Sequence, residues 1–141
     1  MKGFDMSLCA CANIRRVDRT VTQFYEEMLA PSGLHITQFT LLVTIAESAP
    51  ITVNHLAEIM GMDRTTLTRA LGPLTKQSFV SITEGEDRRT RLVTLTQVGE
   101  EALEVAFPLW EKAQSQVVQG LGQERFYALL TELSAIATLS R

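Results

Sequence analysis

The segment VNHLAEIMGMDRTTLTRAL, residues 53–71, fits two short helices that cross at a tight turn. Gly61 supplies the permissive backbone conformation that the turn requires, and Ala57 is small where the second helix must approach the first. Asp63 is a good N-cap for that second helix, because its side chain can accept hydrogen bonds from first-turn amides. The apolar wedge between the helices is predicted to consist of Leu56, Met60, Met62, Leu67 and Ala70. The segment therefore predicts a helix-turn-helix, a motif whose second helix lies in the major groove of duplex DNA.

The outward face of the second helix is rich in arginine and threonine. With Leu67 and Leu71 facing inward, the residues left to face outward are Arg64, Thr65, Thr66, Thr68 and Arg69. Small hydroxyls at a helix start can donate to phosphates or base edges. The arginine fork fits guanine O6 and N7, with about 1–3 kcal/mol of base discrimination. We predict that this face contacts DNA, and the alternative is a solvated polar face.

A hairpin follows the predicted helix-turn-helix. FVSIT and RLVTL, within residues 78–95, alternate with the period of strands, and the polar loop EGEDRRT joins them. Arginines at the tip of such a ribbon can reach the minor groove of DNA. Asp87 is close enough in sequence to orient Arg89. The predicted DNA-binding set is completed by Thr52, Lys76, Asp87, Arg88, Arg89 and Arg91. A solvated turn is the alternative for the tip.

Elsewhere the chain shows helical periodicity. Helices are predicted over residues 7–29, 37–47, 52–60, from 64 onward, 97–119 and 123–139. The expected caps are Ser7, Thr37 and Thr96, and Pro108 is expected to kink the fifth helix. The fold class is thus mainly α with a small β-hairpin, a winged helix-turn-helix in the order α-α-α-α-β-β-α-α.

The first helix carries a narrow apolar seam suited to packing on another helix. One wing and one short helix cover few base pairs, so useful specificity generally needs two half-sites about one helical turn apart. We therefore predict a homodimer built from the first, fifth and sixth helices, and the alternative is packing within one chain. The predicted interface consists of Ile14, Val17, Val21, Phe24, Leu121, Phe126, Leu129 and Leu133.

Composition limits the classes of function. The 141 residues carry a net charge of −3, but residues 52–96 hold six basic and five acidic residues, a local balance of +1. No apolar run reaches the length of a membrane span and no secretory signal is evident, so we expect a cytoplasmic protein. No catalytic arrangement, metal-ligand spacing or phosphate-binding glycine loop is present in the sequence. We expect a chain that is not an enzyme and that uses no metal and no cofactor.

The run GMDRTTLTRALGPLTKQSFVSITEGEDRRTRLVTLTQVGEEAL, residues 61–103, resembles the winged helix-turn-helix core of the MarR family of bacterial transcriptional regulators. DRRTRLVTLT matches the family's wing pattern, Asp-x-Arg followed by an apolar strand and Leu-Thr. The resemblance implies a salt bridge between Asp87 and Arg89, with Arg89 in the minor groove. It also implies a homodimer on a pseudo-palindromic operator, usually a repressor, released by a small ligand or an oxidant. Residues 37–96 would form the DNA-binding lobe, and residues 1–36 with 97–141 the dimerisation region.

Two signals that would release the protein from DNA, and one different class of function, remain as alternatives. The first signal is a small ligand, with an aromatic one included, bound between the DNA-binding lobe and the dimerisation region. The candidate pocket residues are Trp110, His35, His55 and Arg16. The second is peroxide oxidation of Cys11, whose spacing from Tyr25 is similar to that in the organic-hydroperoxide branch of the family. Arg15 and Ile36 stand where that branch has further tyrosines, so inert thiols are the preferred interpretation of Cys9 and Cys11. The other class is a winged helix used as a protein-interaction scaffold.

Overall fold

The computed structural model describes residues 3–139. Over that range the chain forms six α-helices and three strands. The helices are α1 (Ala10–Leu29), α2 (Ile36–Ser48), α3 (Val53–Met60), α4 (Arg64–Lys76), α5 (Gln97–Leu121) and α6 (Gln123–Leu139), and the strands are β1 (Ile51–Thr52), β2 (Val80–Glu84) and β3 (Arg91–Leu95). The predicted fold class is confirmed, with one strand added.

The predicted hairpin of β2 and β3 belongs to a three-stranded antiparallel sheet of order β1-β3-β2. The added strand β1 pairs Ile51 with Val93 and Thr52 with Leu92. A two-residue strand has no readable periodicity, so only its pairing with β3 reveals it. The pairing fixes β3 of the wing against the link between α2 and α3.

The helix-turn-helix packs as predicted. Leu56, Leu67 and Leu74 are fully buried, and Ala57 is only 5% exposed at the crossing of α3 and α4. The predicted wedge residues Met60, Met62 and Ala70 are partly buried against the same core. Burial of each large apolar side chain contributes about 1.5–3 kcal/mol, and this shared core holds the outward face of α4 in place.

Local capping sets the turn between the helices. Gly61 ends α3 with φ of 66°, a left-handed conformation that suits glycine. Asp63 then caps α4, its Oδ1 accepting the N–H of Thr66 at 2.7 Å. Thr96 caps α5 in the same way, accepting the N–H of Gly99 at 3.0 Å. Both of these predicted caps are confirmed.

The start of α1 differs from the prediction. Ser7 does not cap it, because its amide and hydroxyl both donate to the Asp5 carboxylate in a separate 3-10 turn, Met6–Leu8. Helix α1 begins only at Ala10, where the Cys9 sulfur accepts from the N–H of Ala12.

Helix α2 also differs from the prediction, while helix α5 begins at the predicted residue. Helix α2 begins at Ile36 after His35, ahead of the expected cap at Thr37, because Glu26 of α1 accepts the N–H of Ile36 at 2.9 Å. Helix α5 runs from Gln97 to Leu121 with Pro108 inside it.

Within residues 3–139, no single helix combines the length and the hydropathy of a bilayer-spanning segment. The segments Ala10–Ser32 and Ile36–Ser48 meet that test only as a pair, across a bend of 73°. Much of the apolar content of the second segment is the core face of α2, where Phe39, Leu41, Leu42 and Ile45 are buried.

Candidate nucleic-acid interface

The N-terminal half of α4 presents the predicted polar face to solvent. Leu67 and Leu71 are buried, while all five predicted contact residues are exposed: Arg64, Thr65, Thr66, Thr68 and Arg69. The positive end of the helix dipole lies at the same end, which favours an anionic partner.

The three threonines of this face are not equivalent hydrogen-bond donors. The Thr66 hydroxyl donates to Asp63 Oδ2 at 3.0 Å, and the Thr68 hydroxyl donates to the Arg64 carbonyl at 2.8 Å. The bonds from the Thr66 amide and hydroxyl hold the pKa of Asp63 below its ordinary value. Within residues 3–139, no hydrogen bond engages the Thr65 hydroxyl, so Thr65 keeps its proton for an external acceptor.

Thr52 has a structural role as the N-cap of α3. Its hydroxyl oxygen accepts the N–H of His55 at 3.0 Å and so caps α3. Thr52 is half-buried, unlike the other predicted DNA-binding residues, which are all exposed.

The wing tip is held by a backbone turn. Asp87 Oδ1 accepts the backbone N–H of Arg89 at 3.1 Å, and the Asp87 carbonyl accepts the N–H of Thr90 at 2.8 Å. The implied salt bridge between Asp87 and Arg89 is absent: within the described part of the chain, the only basic and acidic side chains within 4.0 Å of each other are His35 and Glu26. The Asx turn occupies the carboxylate and leaves the Arg89 guanidinium in solvent.

Two clefts join α4 to the wing, and they show that the predicted surfaces converge. The smaller cleft, here called the wing-root notch, has a volume of about 340 Å³ and is lined by Thr52, Val53, Asn54, Arg64, Arg89, Thr90 and Arg91. The larger cleft has a volume of about 670 Å³ and is lined by Val53, Arg64, Thr68, Leu71, Gly72, Thr75, Lys76, Ile82 and Arg91. Arg64 and Arg91 line both clefts, so the start of α4 and the loop end of the wing hairpin meet on one side of the molecule.

Sequence reasoning missed part of this surface. Asn54 and Thr90 line the notch, and Ile82 lines the larger cleft, but none was predicted. No local signal could have found them, since Asn54 and Thr90 are 36 positions apart and meet only through the pairing of β1 with β3. The predicted residues Thr65, Thr66, Arg69, Asp87 and Arg88 line neither cleft.

The residues considered for oxidation do not meet within one chain. Cys11 is exposed, and Tyr25 lies 14 residues further along the same helix, a rise of about 21 Å. The Tyr25 hydroxyl donates to Gln114 Oε1 at 2.6 Å, and burial raises the pKa of Tyr25.

The candidate pocket residues are spread over different environments. Trp110 stacks on Phe39 with ring centroids 5.8 Å apart and belongs to the core edge. His35 pairs with Glu26, and Arg16 donates to Asn13 on its own helix. His55 is exposed on α3.

Most of the predicted interface residues are uncovered in the single chain. Val17 is 51% exposed, Ile14 and Val21 are each 40% exposed, and Leu129 and Leu133 are each 42% exposed. Phe24 and Leu121 are half-buried. Phe126 is only 8% exposed, so it packs inside its own chain and is not part of the uncovered face.

Comparison with known proteins agrees with this geometry. Residues 32–90 match the sequence profile of the MarR family. An uncharacterized HTH-type transcriptional regulator of Bacillus cereus is 32% identical over 111 residues, which are 79% of this chain and 74% of that protein. Across three of the curated Bacillus relatives, the match spans 66%, 72% and 74% of their own lengths.

Solved structures extend the likeness over nearly the whole chain. The transcriptional regulator MosR of M. tuberculosis, in complex with DNA, is 37% identical with a TM-score of 0.84, covering 94% of this chain and 98% of that chain. PcaV of Streptomyces coelicolor, in complex with its natural ligand, is similar in fold, with a TM-score of 0.91 over 100% of both chains at 15% identity. The chain belongs to the MarR family of transcriptional regulators.

Proposed function

We propose that this chain binds a specific duplex DNA operator as a homodimer, represses transcription there, and is released by a small ligand. The observation that carries the proposal is the wing-root notch, in which Arg64 of α4 lies with Arg89 and Arg91 of the wing. A surface that joins the two elements can engage a major groove and the adjacent minor groove together.

In this proposal, residues 37–96 form the DNA-binding lobe, and residues 1–36 with 97–141 form the dimerisation region. Arg69 and Thr65 face the bases of the major groove, and Arg89 enters the minor groove. The complex of MosR with DNA supports the duplex as partner. The complex of PcaV with its natural ligand supports the binding of a ligand by this fold. The proposal includes no catalytic step, and it carries the expectation of a cytoplasmic protein because the partner is chromosomal DNA.

The test begins with selection of bound fragments from random duplex DNA. Affinity for the selected duplex is then measured by fluorescence anisotropy across salt concentrations. A DNA-binding protein loses affinity with a slope of about −0.9 in log–log form for each phosphate that it neutralises. We expect Arg69→Ala to relax base preference at one position by about 1–3 kcal/mol. We expect Arg89→Ala to weaken operator binding and to lower the salt slope.

Lys112→Ala is the matched control, because Lys112 is an exposed base on α5 outside both clefts. It should bind as the wild type does. Wild-type protein that selects no duplex, or that binds with no salt dependence, would contradict the proposal and favour the protein-interaction scaffold. Adding aromatic acids to the bound complex tests release.

A further inference from the structure

The wing-root notch is lined mainly by cations and neutral polar groups, drawn from β1, α3, α4, β3 and the hairpin loop. Arg64 begins α4, Arg91 begins β3, and Asn54 lies in the first turn of α3. No carboxylate is among the residues that line it, and none lies within 4.0 Å of a guanidinium nitrogen of Arg64, Arg89 or Arg91 in the described part of the chain. Three guanidinium groups around one small cleft repel one another until an anion enters.

The backbone at the floor of the notch adds a donor. Val53 and Asn54 are the first two residues of α3, so their N–H groups have no acceptor inside the helix. The Thr52 hydroxyl bonds the third amide, that of His55. The Val53 N–H continues the ladder between β1 and β3 towards the Arg91 carbonyl, so the Asn54 N–H is the amide left for an external acceptor. The Asn54 side-chain amide adds two donors beside it.

The shape and chemistry of the notch favour a phosphate over a base edge. Guanidinium forks bind phosphate oxygens in bidentate fashion, and backbone amides at a helix start bind the same oxygens. A volume of about 340 Å³ is ample for a phosphodiester group. A contact of this kind carries no sequence information but fixes how the protein sits on the duplex.

We propose that the wing-root notch seats one phosphodiester of the operator backbone, held by Arg64, Arg91 and Asn54. The seat fixes the register of α4 on the duplex. Arg64, expected from the sequence to read a base, acts on the backbone. This inference rests on the proposed function, since it assigns part of the same DNA-binding surface.

The test compares notch variants on the selected operator and on random duplex of equal length. Arg64→Gln and Arg91→Gln each remove one cation and keep a polar side chain. Asn54→Asp keeps the size of the side chain and places a negative charge in the notch. We expect each to weaken binding to both duplexes by the same factor, and each arginine variant to lower the salt slope by about one. Gln77→Glu is the matched amide-to-acid control, because Gln77 is exposed at the end of α4 and lines neither cleft.

A second arm identifies the phosphate. Neutral methylphosphonates are placed one at a time along the operator. We expect that a methylphosphonate at one position of each half-site lowers the affinity of wild-type protein as much as Arg64→Gln does. The same methylphosphonate should cause little further loss of affinity in the Arg64→Gln variant. Inorganic phosphate is also compared with chloride at equal ionic strength. Two results together would overturn the duplex assignment and assign the notch to a free phosphate effector. Inorganic phosphate, but not chloride, would release wild-type protein from the operator, and the methylphosphonate and Arg64→Gln losses would add at every position.

The remaining outcomes separate this inference from the proposed function. Wild-type protein that binds no duplex contradicts the proposed function itself. If wild-type protein binds the operator and Arg64→Gln lowers affinity for the operator but not for random duplex, Arg64 contacts a base. That result overturns the phosphate seat. Notch variants that bind both duplexes as the wild type does overturn it as well. Circular dichroism of each variant confirms that the fold is intact.

Discussion

Gly99 is buried in the first turn of α5, where the backbone of Phe79 lies against its α-carbon. A β-carbon at this position would be 2.1 Å from the Phe79 carbonyl oxygen, which cannot move freely because it also accepts from the Thr96 amide at 3.0 Å. Phe79 directly precedes β2, so this contact positions the start of the wing against α5. Only glycine fits there.

Gly99→Ala is therefore expected to lower the free energy of unfolding by about 1–3 kcal/mol, the usual cost of overpacking. Gly120→Ala, near the other end of the same helix, is the matched control because nothing lies within 4 Å of its β-carbon. That variant should raise the free energy of unfolding by about 0.4–1 kcal/mol, since alanine restricts the unfolded chain. Urea denaturation of both variants measures the difference, and equal effects would contradict the packing argument.

At the scale of an element, the wing depends on the Asx turn at Asp87. Asp87→Ala removes the acceptor for the Arg89 amide, a bond of 3.1 Å, and should let the tip move. An intramolecular hydrogen bond contributes about 0.5–1.5 kcal/mol, so we expect a few-fold loss of operator affinity with little change in global stability. Asp87→Asn keeps an oxygen acceptor and should bind nearly as the wild type does. Anisotropy titrations distinguish the role of Asp87 in the turn from a role as a charged partner of Arg89. If Asp87 acted through an ion pair with Arg89, Asp87→Asn would bind the operator as weakly as Asp87→Ala.

Elements with strong local signals could be predicted from the sequence. The helix-turn-helix follows from Gly61, Asp63 and the leucines of α4, and the hairpin follows from its alternation of apolar residues. Strand β1 could not be predicted, because its two residues become a strand only through pairing with β3. The same pairing brings Asn54 to the wing, so this residue of the notch was missed with it. The Asp87 interaction was misjudged because spacing alone does not distinguish a side-chain ion pair from an Asx turn.

At the scale of the whole molecule, the arginine-lined clefts and the uncovered apolar side chains lie on different elements. The arginine-lined clefts occupy one region, while apolar side chains remain uncovered along α1 and along α6. On α6, Leu129, Leu130, Leu133 and Ile136 are each 42% exposed. Near the start of α1, Phe4 is 72% and Leu8 is 82% exposed. Uncovered apolar surface of this extent marks an interaction site, and helices of two copies can cover it mutually.

Light scattering after gel filtration should give wild-type protein a mass of twice the 15.7 kDa chain at micromolar concentration. Leu133→Lys and Val17→Lys place a charge in the uncovered face, where pairing would desolvate it, and each should shift the protein towards a single chain. Ile59→Lys is the matched control: Ile59 is 49% exposed on α3, outside both clefts, and this variant should keep the dimer mass. The dissociated variants should also lose the preference for a two-half-site operator over a single half-site, since only a dimer engages both. Wild-type protein of single-chain mass, or Leu133→Lys that stays dimeric, would contradict the assignment of this face.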